Sequence, residues 1–200
     1  MNEKFFDLKK EKQDRMINAA LKVFALHGYR HASTDDIVRE AGISKGLLFH
    51  YFGSKLGLYT FIYEYSVRYM TLELKAAVSA KETDMFEIIK QTESAKMQAL
   101  KGYPYMEQFL NRSASEDVSE ALLAIESMRE TLTEAYGRIR ELMDFSVLPQ
   151  GVDGAKLCKM IDFTIKGLMT ERFFDASFHP ENLYKEVAGY IDMIKEITYR

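Results

Sequence analysis

The chain has 200 residues, of which 47% are hydrophobic, and a formal net charge of −3, a composition that is typical of a folded globular protein. Its longest apolar run is only the five residues Ala121 to Ile125, so we expect neither a membrane-spanning helix nor a secretory signal. The single cysteine, Cys158, cannot close an internal disulfide, and we therefore expect a cytoplasmic protein.

Charge is distributed unevenly along the chain. Residues 1–60 carry ten Lys or Arg against seven Asp or Glu, a net charge of +3, whereas residues 61–200 carry seventeen against twenty-three, a net charge of −6. A difference in sign between two segments indicates that the amino-terminal segment faces nucleic acid and that the rest has another task. Because an excess of three positive charges is small, the prediction of a nucleic-acid partner depends mainly on the sequence motifs.

Helical periodicity predicts an all-α protein of about nine helices. The first helix is predicted from Lys10 to Leu26, and Gly28 would end it as a C-cap glycine. Thr34 is predicted as the N-cap of a short second helix that ends before Gly42, and Ser44 as the cap of a third. The turn AGIS between these two helices has the length and glycine content of a helix-turn-helix.

Six further helical stretches follow, separated by short breaks. They are predicted at residues 54–80, 84–101, 103–113, 117–145, 152–174 and 180–198. Because the connections are short and no strand pattern intervenes, we expect these helices to form an antiparallel bundle. The predicted domains are residues 1–55, with the helix-turn-helix motif at about 34–53, and residues 56–200.

The third helix is predicted to have two faces of different character. The side that can fill a small core consists of Leu48, Phe49 and Phe52. The other side is predicted to carry Ser44, Leu47, His50 and Tyr51. Lys45 lies in the first turn, where its long side chain can reach solvent. This mixed second face indicates a surface that contacts a partner, and in helix-turn-helix proteins the partner is the major groove of DNA.

Residues Ala19 to Tyr59 resemble the DNA-binding domain of TetR-type transcriptional regulators. The resemblance rests on the phenylalanine and glycine that close the first helix, on Thr34, on the turn GISKG at residues 42–46, on the aromatic cluster Phe49 to Phe52 and on the pair Ser54-Lys55. The remainder of the chain resembles the family only in its length and its layout of nine helices.

The resemblance implies a set of DNA-binding residues: Thr34, Ser44, Lys45, Gly46, Leu47, His50, Tyr51 and Lys55. Thr34 and Lys55 would hold phosphates, Ser44 and Lys45 would anchor the recognition helix, and Gly46 would let the backbone approach. The other three would face bases or nearby phosphates. Leu47 and Phe49 depart from the family pattern because both lack the hydroxyl that is common there, and we hypothesise that Leu47 contacts thymine methyl groups.

One recognition helix offers few contacts, so we expect a homodimer that reads two half-sites of a palindromic double-stranded DNA operator. Apolar residues of the last two helices recur at spacings of three and four, as in a packed helical seam, and the resemblance implies that these helices form the dimer interface. The predicted interface consists of Leu157, Ile161, Ile165, Leu168, Leu183, Val187, Tyr190, Ile194 and Ile197. Burial of both stripes inside one subunit stays open as the alternative.

Residues 60–145 are rich in methionine and aromatic side chains, which are adaptable fillers of a core. Because the family binds small molecules in this region, the resemblance implies an apolar pocket with tyrosine hydroxyls as polar groups. The predicted pocket residues are Tyr65, Tyr69, Met97, Tyr103, Met106, Phe109, Met128 and Tyr136. The implied protein is a repressor that a small apolar or amphipathic effector releases from its operator.

The sequence contains no HExxH, P-loop, GxSxG or paired-cysteine motif, and we predict neither an enzyme nor a cofactor. A metal site is not expected either, since Gly28 separates His27 from His31 and breaks the helix that would place them on one face. Two alternatives stay open, a ligand-sensing interaction protein without DNA binding and a small all-α enzyme. Thr34, Lys45 and Lys55 argue against the first.

Overall fold

The computed structural model describes residues 3–172 and 179–199, and within these ranges it contains nine α-helices and no strand. The all-α fold predicted from periodicity is confirmed. The helices are α1 (Lys10–His31), α2 (Thr34–Ala41), α3 (Lys45–Phe52), α4 (Lys55–Ala77), α5 (Met85–Gly102), α6 (Met106–Ser113), α7 (Ser119–Glu141), α8 (Gly154–Arg172) and α9 (Pro180–Thr198). The end predicted for the eighth helix, at Phe174, lies outside the described residues.

α1 is interrupted at the glycine that the sequence singled out. Gly28 has φ 67° and ψ 174°, a conformation outside the helical region that glycine adopts at little cost. One further turn follows, so the helix ends at His31 rather than near Leu26. The interruption lets the chain leave the axis of α1 before α2 begins.

Serine hydroxyls cap both α2 and α3. Ser33 has the extended backbone of a cap residue, and its Oγ accepts a hydrogen bond from the Asp35 N–H at 3.2 Å. The prediction of Thr34 as the cap is therefore wrong by one residue, because Thr34 is already helical. Ser44 caps α3 as predicted, its Oγ accepting from the Leu47 N–H at 3.2 Å.

The backbone contacts divide the chain into two compact units. One comprises Met1–Leu72 and Ala99–Glu134, and the other comprises Glu73–Gln98 and Ala135–Arg200. These units reflect how densely the backbone segments contact one another, and they are not functional domains. The boundary predicted between residues 55 and 56 separates functions, and it stays a prediction.

Aromatic side chains form the core that holds α1 in the first unit. The ring of Tyr59 on α4 lies 5.1 Å from the ring of Phe24 on α1 and 5.5 Å from that of Phe109 on α6, centroid to centroid. All three residues are fully or almost fully buried, and aromatic pairs at these separations add about 0.5–1.5 kcal/mol beyond their buried area. α1, which leads into the helix-turn-helix, is therefore held firmly against α4 and α6.

In the second unit, α8 packs against α9, and an ionic contact joins α9 to α5. Asp84 caps α5 by accepting hydrogen bonds from the backbone N–H groups of Phe86 and Glu87, and its other oxygen lies 2.8 Å from the Lys195 Nζ of α9. Along the parts of the chain that the structure describes, no helix combines the length and the low charge needed to cross a bilayer.

Candidate nucleic-acid interface

The face of α3 that the sequence predicts for a partner is largely at the surface. Ser44, Lys45, Gly46 and His50 are exposed, and Leu47 is half-buried. On the opposite side, Leu48 and Phe52 are buried as predicted. α3 thus presents a hydroxyl, an ammonium, an imidazole and one apolar side chain within two turns, which are groups that can contact phosphates and base edges.

Tyr51 does not belong to this exposed face. Only 8% of its surface is accessible, and its ring lies 5.7 Å from the ring of Phe5, centroid to centroid. The predicted exposure of Tyr51 is wrong for two reasons. Residues three apart lie on the same side of a helix, which places Tyr51 beside buried Leu48, and the segment before α1 supplies Phe5 to cover it.

Lys45 is paired within the helix-turn-helix. Its Nζ lies 2.9 Å from the Asp35 Oδ1 of α2, and both side chains are more than half exposed. Exposed ion pairs contribute little to stability because water and salt screen them. The pair therefore orients Lys45 at the surface while leaving its ammonium available to exchange the carboxylate for a phosphate.

Lys55, the other predicted phosphate ligand, is more deeply engaged. Its Nζ donates to the Arg30 carbonyl at 3.3 Å and lies 4.7 Å from the centroid of the Tyr29 ring. Burial lowers the pKa of Lys55, although the nearby carboxylates of Glu116 and Glu120 partly oppose that effect. The predicted contact of Lys55 with phosphate stays a prediction, and the structure adds a role in holding the end of α1.

Two carboxylates that sequence reasoning did not single out fasten the carboxyl end of α1. Glu116 accepts a hydrogen bond from the Tyr29 N–H at 2.7 Å, and Glu120 accepts one from the Tyr29 hydroxyl at 2.8 Å. Burial and the bond to Glu120 raise the pKa of Tyr29 to about 12, so its hydroxyl stays a donor at neutral pH. The partners are 87 and 91 positions apart, which is why no local pattern reveals them.

Three of the tyrosines predicted for a ligand pocket lie together in the first unit. The Tyr103 ring centroid is 5.4 Å from that of Tyr65 and 5.0 Å from that of Tyr69. The Tyr103 hydroxyl shares a hydrogen bond with Tyr65, donates to Asp14 at 2.8 Å and accepts from Lys10 at 3.2 Å. Burial, followed by the hydrogen bonds to Tyr65 and Asp14, raises the pKa of Tyr103 above its usual range.

The other predicted pocket residues are more scattered. Met106 and Phe109 are fully buried, Phe109 within the aromatic core of the first unit, while Met128 is half-buried. In the second unit Met97 is buried and Tyr136 is half-buried. The pocket itself stays a prediction.

The apolar seam predicted for dimerisation is mostly used inside the chain. The buried members are Leu157, Ile161, Ile165, Leu168, Leu183 and Val187. For these six, burial within the chain favours the alternative in which one subunit covers both stripes, and the dimer interface stays a prediction. Ile194 is half-buried, and Tyr190 and Ile197 are exposed.

Five large apolar side chains of α8 and α9, two of them from the predicted seam, lie at the surface, and we call them the outer face. Its members are Met160, Phe163, Tyr190, Met193 and Ile197. Phe163 is 60% exposed and Ile197 64%, although both are large apolar side chains. The spacings of three and four place the members of each helix on one side, so the outer face is continuous along each helix.

The amino-terminal part of the chain is similar to known proteins. Residues 16–60 match the family model of the bacterial regulatory proteins of the tetR family. Over 49 residues the chain is 47% identical to the uncharacterized HTH-type transcriptional regulator YuxN of Bacillus subtilis (strain 168), a match that covers 24% of this chain and 17% of YuxN. High identity is therefore limited to less than a fifth of the length of that relative.

Longer matches have lower identity. HTH-type transcriptional regulator AcrR of Shigella flexneri is 20% identical over 197 residues, which covers 94% of this chain and 89% of AcrR. A solved TetR family transcriptional regulator from Chloroflexus aurantiacus J-10-FL has a TM-score of 0.67 at 22% identity, over 98% of this chain and 95% of that one. At this identity the likeness shows a shared fold. The helix-turn-helix segment thus matches the model of the tetR family, and the chain as a whole shares the fold of a solved TetR family regulator.

Proposed function

We propose that the protein is a sequence-specific DNA-binding regulator of transcription. The observation that carries this proposal is the surface of α3, where exposed Lys45 and His50 flank half-buried Leu47 just after a serine-capped helix start. A helix N-terminus and an ammonium group both attract phosphate, and side chains on the following turn can then reach base edges. A helix of this length at the surface fits the major groove.

Within this proposal the residues have separate tasks. Lys45, Ser44 and Thr34 hold phosphates on either side of the groove, and Gly46 allows the backbone of α3 to come close. Leu47 and His50 face the bases, Leu47 offering methyl groups to thymine. Tyr51 is assigned no base contact, since it is buried.

We further propose that the functional form is a homodimer joined through the outer face of α8 and α9. Large exposed apolar side chains at continuous helical positions indicate a surface that another protein covers. A second copy gives two recognition helices related by a two-fold axis, so the operator would be a palindrome with half-sites one helical turn or a multiple apart.

A small molecule is proposed to control DNA binding. We propose a cytoplasmic repressor that releases DNA when a small apolar or amphipathic molecule binds among its methionine and tyrosine side chains. Such a molecule has to bind the DNA-free form more tightly than the DNA-bound form, and a tenfold difference in affinity shifts the equilibrium by about 1.4 kcal/mol. Tyr65 and Tyr69, which are half-buried beside Tyr103, could offer hydroxyls to the polar end of the ligand.

DNA binding is tested by selection from a library of random duplexes with the full chain, at low and at moderate salt. We expect enrichment of one palindromic sequence, and an affinity that falls with salt as released counterions require. Failure to retain any duplex at low salt would contradict the proposal and favour the ligand-sensing protein without DNA binding.

Control by a ligand is tested on the complex with the selected duplex. Small molecules that copurify with the native protein are extracted, identified by mass spectrometry and added back to the complex. We expect an amphipathic compound that lowers the affinity for DNA in proportion to its concentration. If the compounds recovered leave that affinity unchanged, release by a copurifying ligand is wrong.

A further inference from the structure

A short segment ahead of α1 inserts a phenylalanine into the helix-turn-helix. Phe5 is fully buried, and its ring centroid lies 5.7 Å from Tyr51, 5.2 Å from Phe52 and 5.2 Å from Phe61. We call these four residues the aromatic cap. Tyr51 and Phe52 belong to α3 and Phe61 belongs to α4, so Phe5 contacts both helices at once.

The segment is also fastened to α1. The side-chain amide of Gln13 donates hydrogen bonds to the backbone carbonyls of Phe6 and Leu8, at 3.1 Å and 2.8 Å. One end of the segment is thus held by aromatic packing and the other by a bidentate amide. Phe5 is therefore presented to α3 from a fixed backbone.

The orientation of α3 depends on few contacts. An isolated helix of eight residues is not stable in water, so tertiary packing has to hold it. Its buried side chains are Leu48, Tyr51 and Phe52, and two of these three touch Phe5. Leu47 and His50 immediately precede Leu48 and Tyr51, so a rotation of α3 that fills a void left by Phe5 also moves the proposed base-reading side chains.

We propose that Phe5 is a positioning residue for DNA recognition, which acts through Tyr51 and Phe52 to set the rotation of α3. This inference rests on the proposed DNA-binding function and adds to it a residue outside the helix-turn-helix. Contacts to base edges require accurate side-chain placement, whereas contacts to phosphates tolerate small shifts. Loss of Phe5 should therefore weaken binding to the preferred sequence much more than binding to other DNA.

The chain offers a matched control next to Phe5. Phe6 is 54% exposed, and its ring contacts Phe5 and Phe61 at centroid distances of 5.6 Å and 6.3 Å. Phe5→Ala and Phe6→Ala remove the same atoms from adjacent positions. Phe5→Leu is a milder change that keeps an apolar side chain in the aromatic cap.

Affinity is measured for the duplex selected with the full wild-type chain and for a shuffled duplex of the same composition, at a temperature where circular dichroism shows each variant folded. For Phe5→Ala we expect a loss of about tenfold or more on the selected duplex, the effect of roughly one wrong base pair. On the shuffled duplex we expect little change. Phe5→Leu should show a smaller loss with the same selectivity, and Phe6→Ala should bind as the wild type does.

Hydrogen exchange provides a second readout. In Phe5→Ala we expect faster amide exchange in residues 45–52, with exchange in α8 and α9 unchanged, because the perturbation is local to α3. If Phe5 only stabilised the fold, its loss would raise amide exchange throughout the chain and would leave the DNA selectivity of the folded molecules unaltered.

Three results would overturn the inference. They are no loss of affinity for the selected duplex in folded Phe5→Ala, equal losses on both duplexes in that variant, and an equal selective loss in Phe6→Ala. If Phe5→Ala does not fold, Phe5→Leu decides by the same criteria. Failure of the proposed function is distinguishable, because the wild-type chain would then enrich no duplex at all, and both proposals would fall together.

Discussion

α3 and α9 are both amphipathic helices for which the sequence predicts an exposed face, and the structure uses their faces differently. In α3 the predicted surface is exposed except for half-buried Leu47 and buried Tyr51. In α9 two of the five predicted residues, Leu183 and Val187, are buried, while Tyr190 and Ile197 are exposed. A periodic apolar stripe therefore shows which residues will be covered, but not whether the same chain or another copy covers them.

The largest effect is expected from charging the outer face. In the double variant Phe163→Glu and Met193→Glu, carboxylates replace apolar side chains at the proposed interface, where burial of unpaired charge is strongly unfavourable. We expect a monomer by light scattering and a loss of about a hundredfold or more in affinity for the selected duplex, because one half-site is given up.

The control for this variant is Leu123→Glu. Leu123 on α7 is 71% exposed and is not a member of the outer face, and we expect this variant to keep the mass and the affinity of the wild type. A double variant that stays dimeric would show that the outer face of α8 and α9 is not the interface.

The next effect distinguishes the two lysines near the helix-turn-helix. Lys45→Ala should weaken binding to all duplexes by about tenfold and flatten the plot of log affinity against log salt by about one unit. Lys55→Ala should flatten it similarly if Lys55 also reaches phosphate. It should in addition lower the melting temperature, since Lys55 donates to the Arg30 carbonyl. A salt slope unchanged in Lys45→Ala would contradict its phosphate contact.

A smaller effect tests base reading by α3. Leu47→Ala should lose about fivefold in affinity for duplexes with thymine at the contacted position, and little for variants in which that thymine is replaced by uracil, which lacks the methyl group. Affinities are compared across such a duplex series. An equal loss on every duplex would indicate that Leu47 supports the helix rather than reads a base.

The smallest effect concerns the packing of α9 in its own unit. Asp84→Ala removes the cap of α5 and the contact with Lys195, and should lower the free energy of unfolding by about 1 kcal/mol at pH 7. DNA affinity per folded molecule should not change. Asp162→Asn, which breaks an exposed pair with Lys166 within α8, should cost less.

The effect of Asp84 should depend on pH with a definite sign. Burial alone would raise the pKa of Asp84, but the hydrogen bonds from Lys195, Glu87 and Phe86 outweigh it and hold the pKa below its ordinary value. The carboxylate therefore stabilises the folded state fully above the unfolded pKa of about 3.9. Its contribution is lost as the pH falls through the folded pKa, so wild type and Asp84→Ala should converge in stability in strong acid.

Much of the fold was predictable because its signals are local. The break of α1 at Gly28, the cap at Ser44 and the helical periods depend on residues within a turn or two of each other. The error of one residue at Thr34 is of the same local kind, since Ser33 and Thr34 have equivalent hydroxyls and only the backbone angles distinguish them.

The candidate site was predictable in its chemistry and less so in its support. Lys45 and His50 are exposed as predicted, and Leu47 is half-buried. The residues that hold α3 and the end of α1 in place, Phe5 and Glu116, were missed because their partners are far along the chain.

By itself, the sequence determined the helices, their interruptions and the types of side chain that α3 offers, because short-range sterics, capping and periodicity control these features. Only the tertiary structure decided that Tyr51 is covered by Phe5, and that six residues of the predicted seam are buried within the chain while the outer face is exposed. Which apolar side chains become buried depends on contacts between residues that are far apart in the sequence, and the hydrophobic pattern of one helix does not identify those partners.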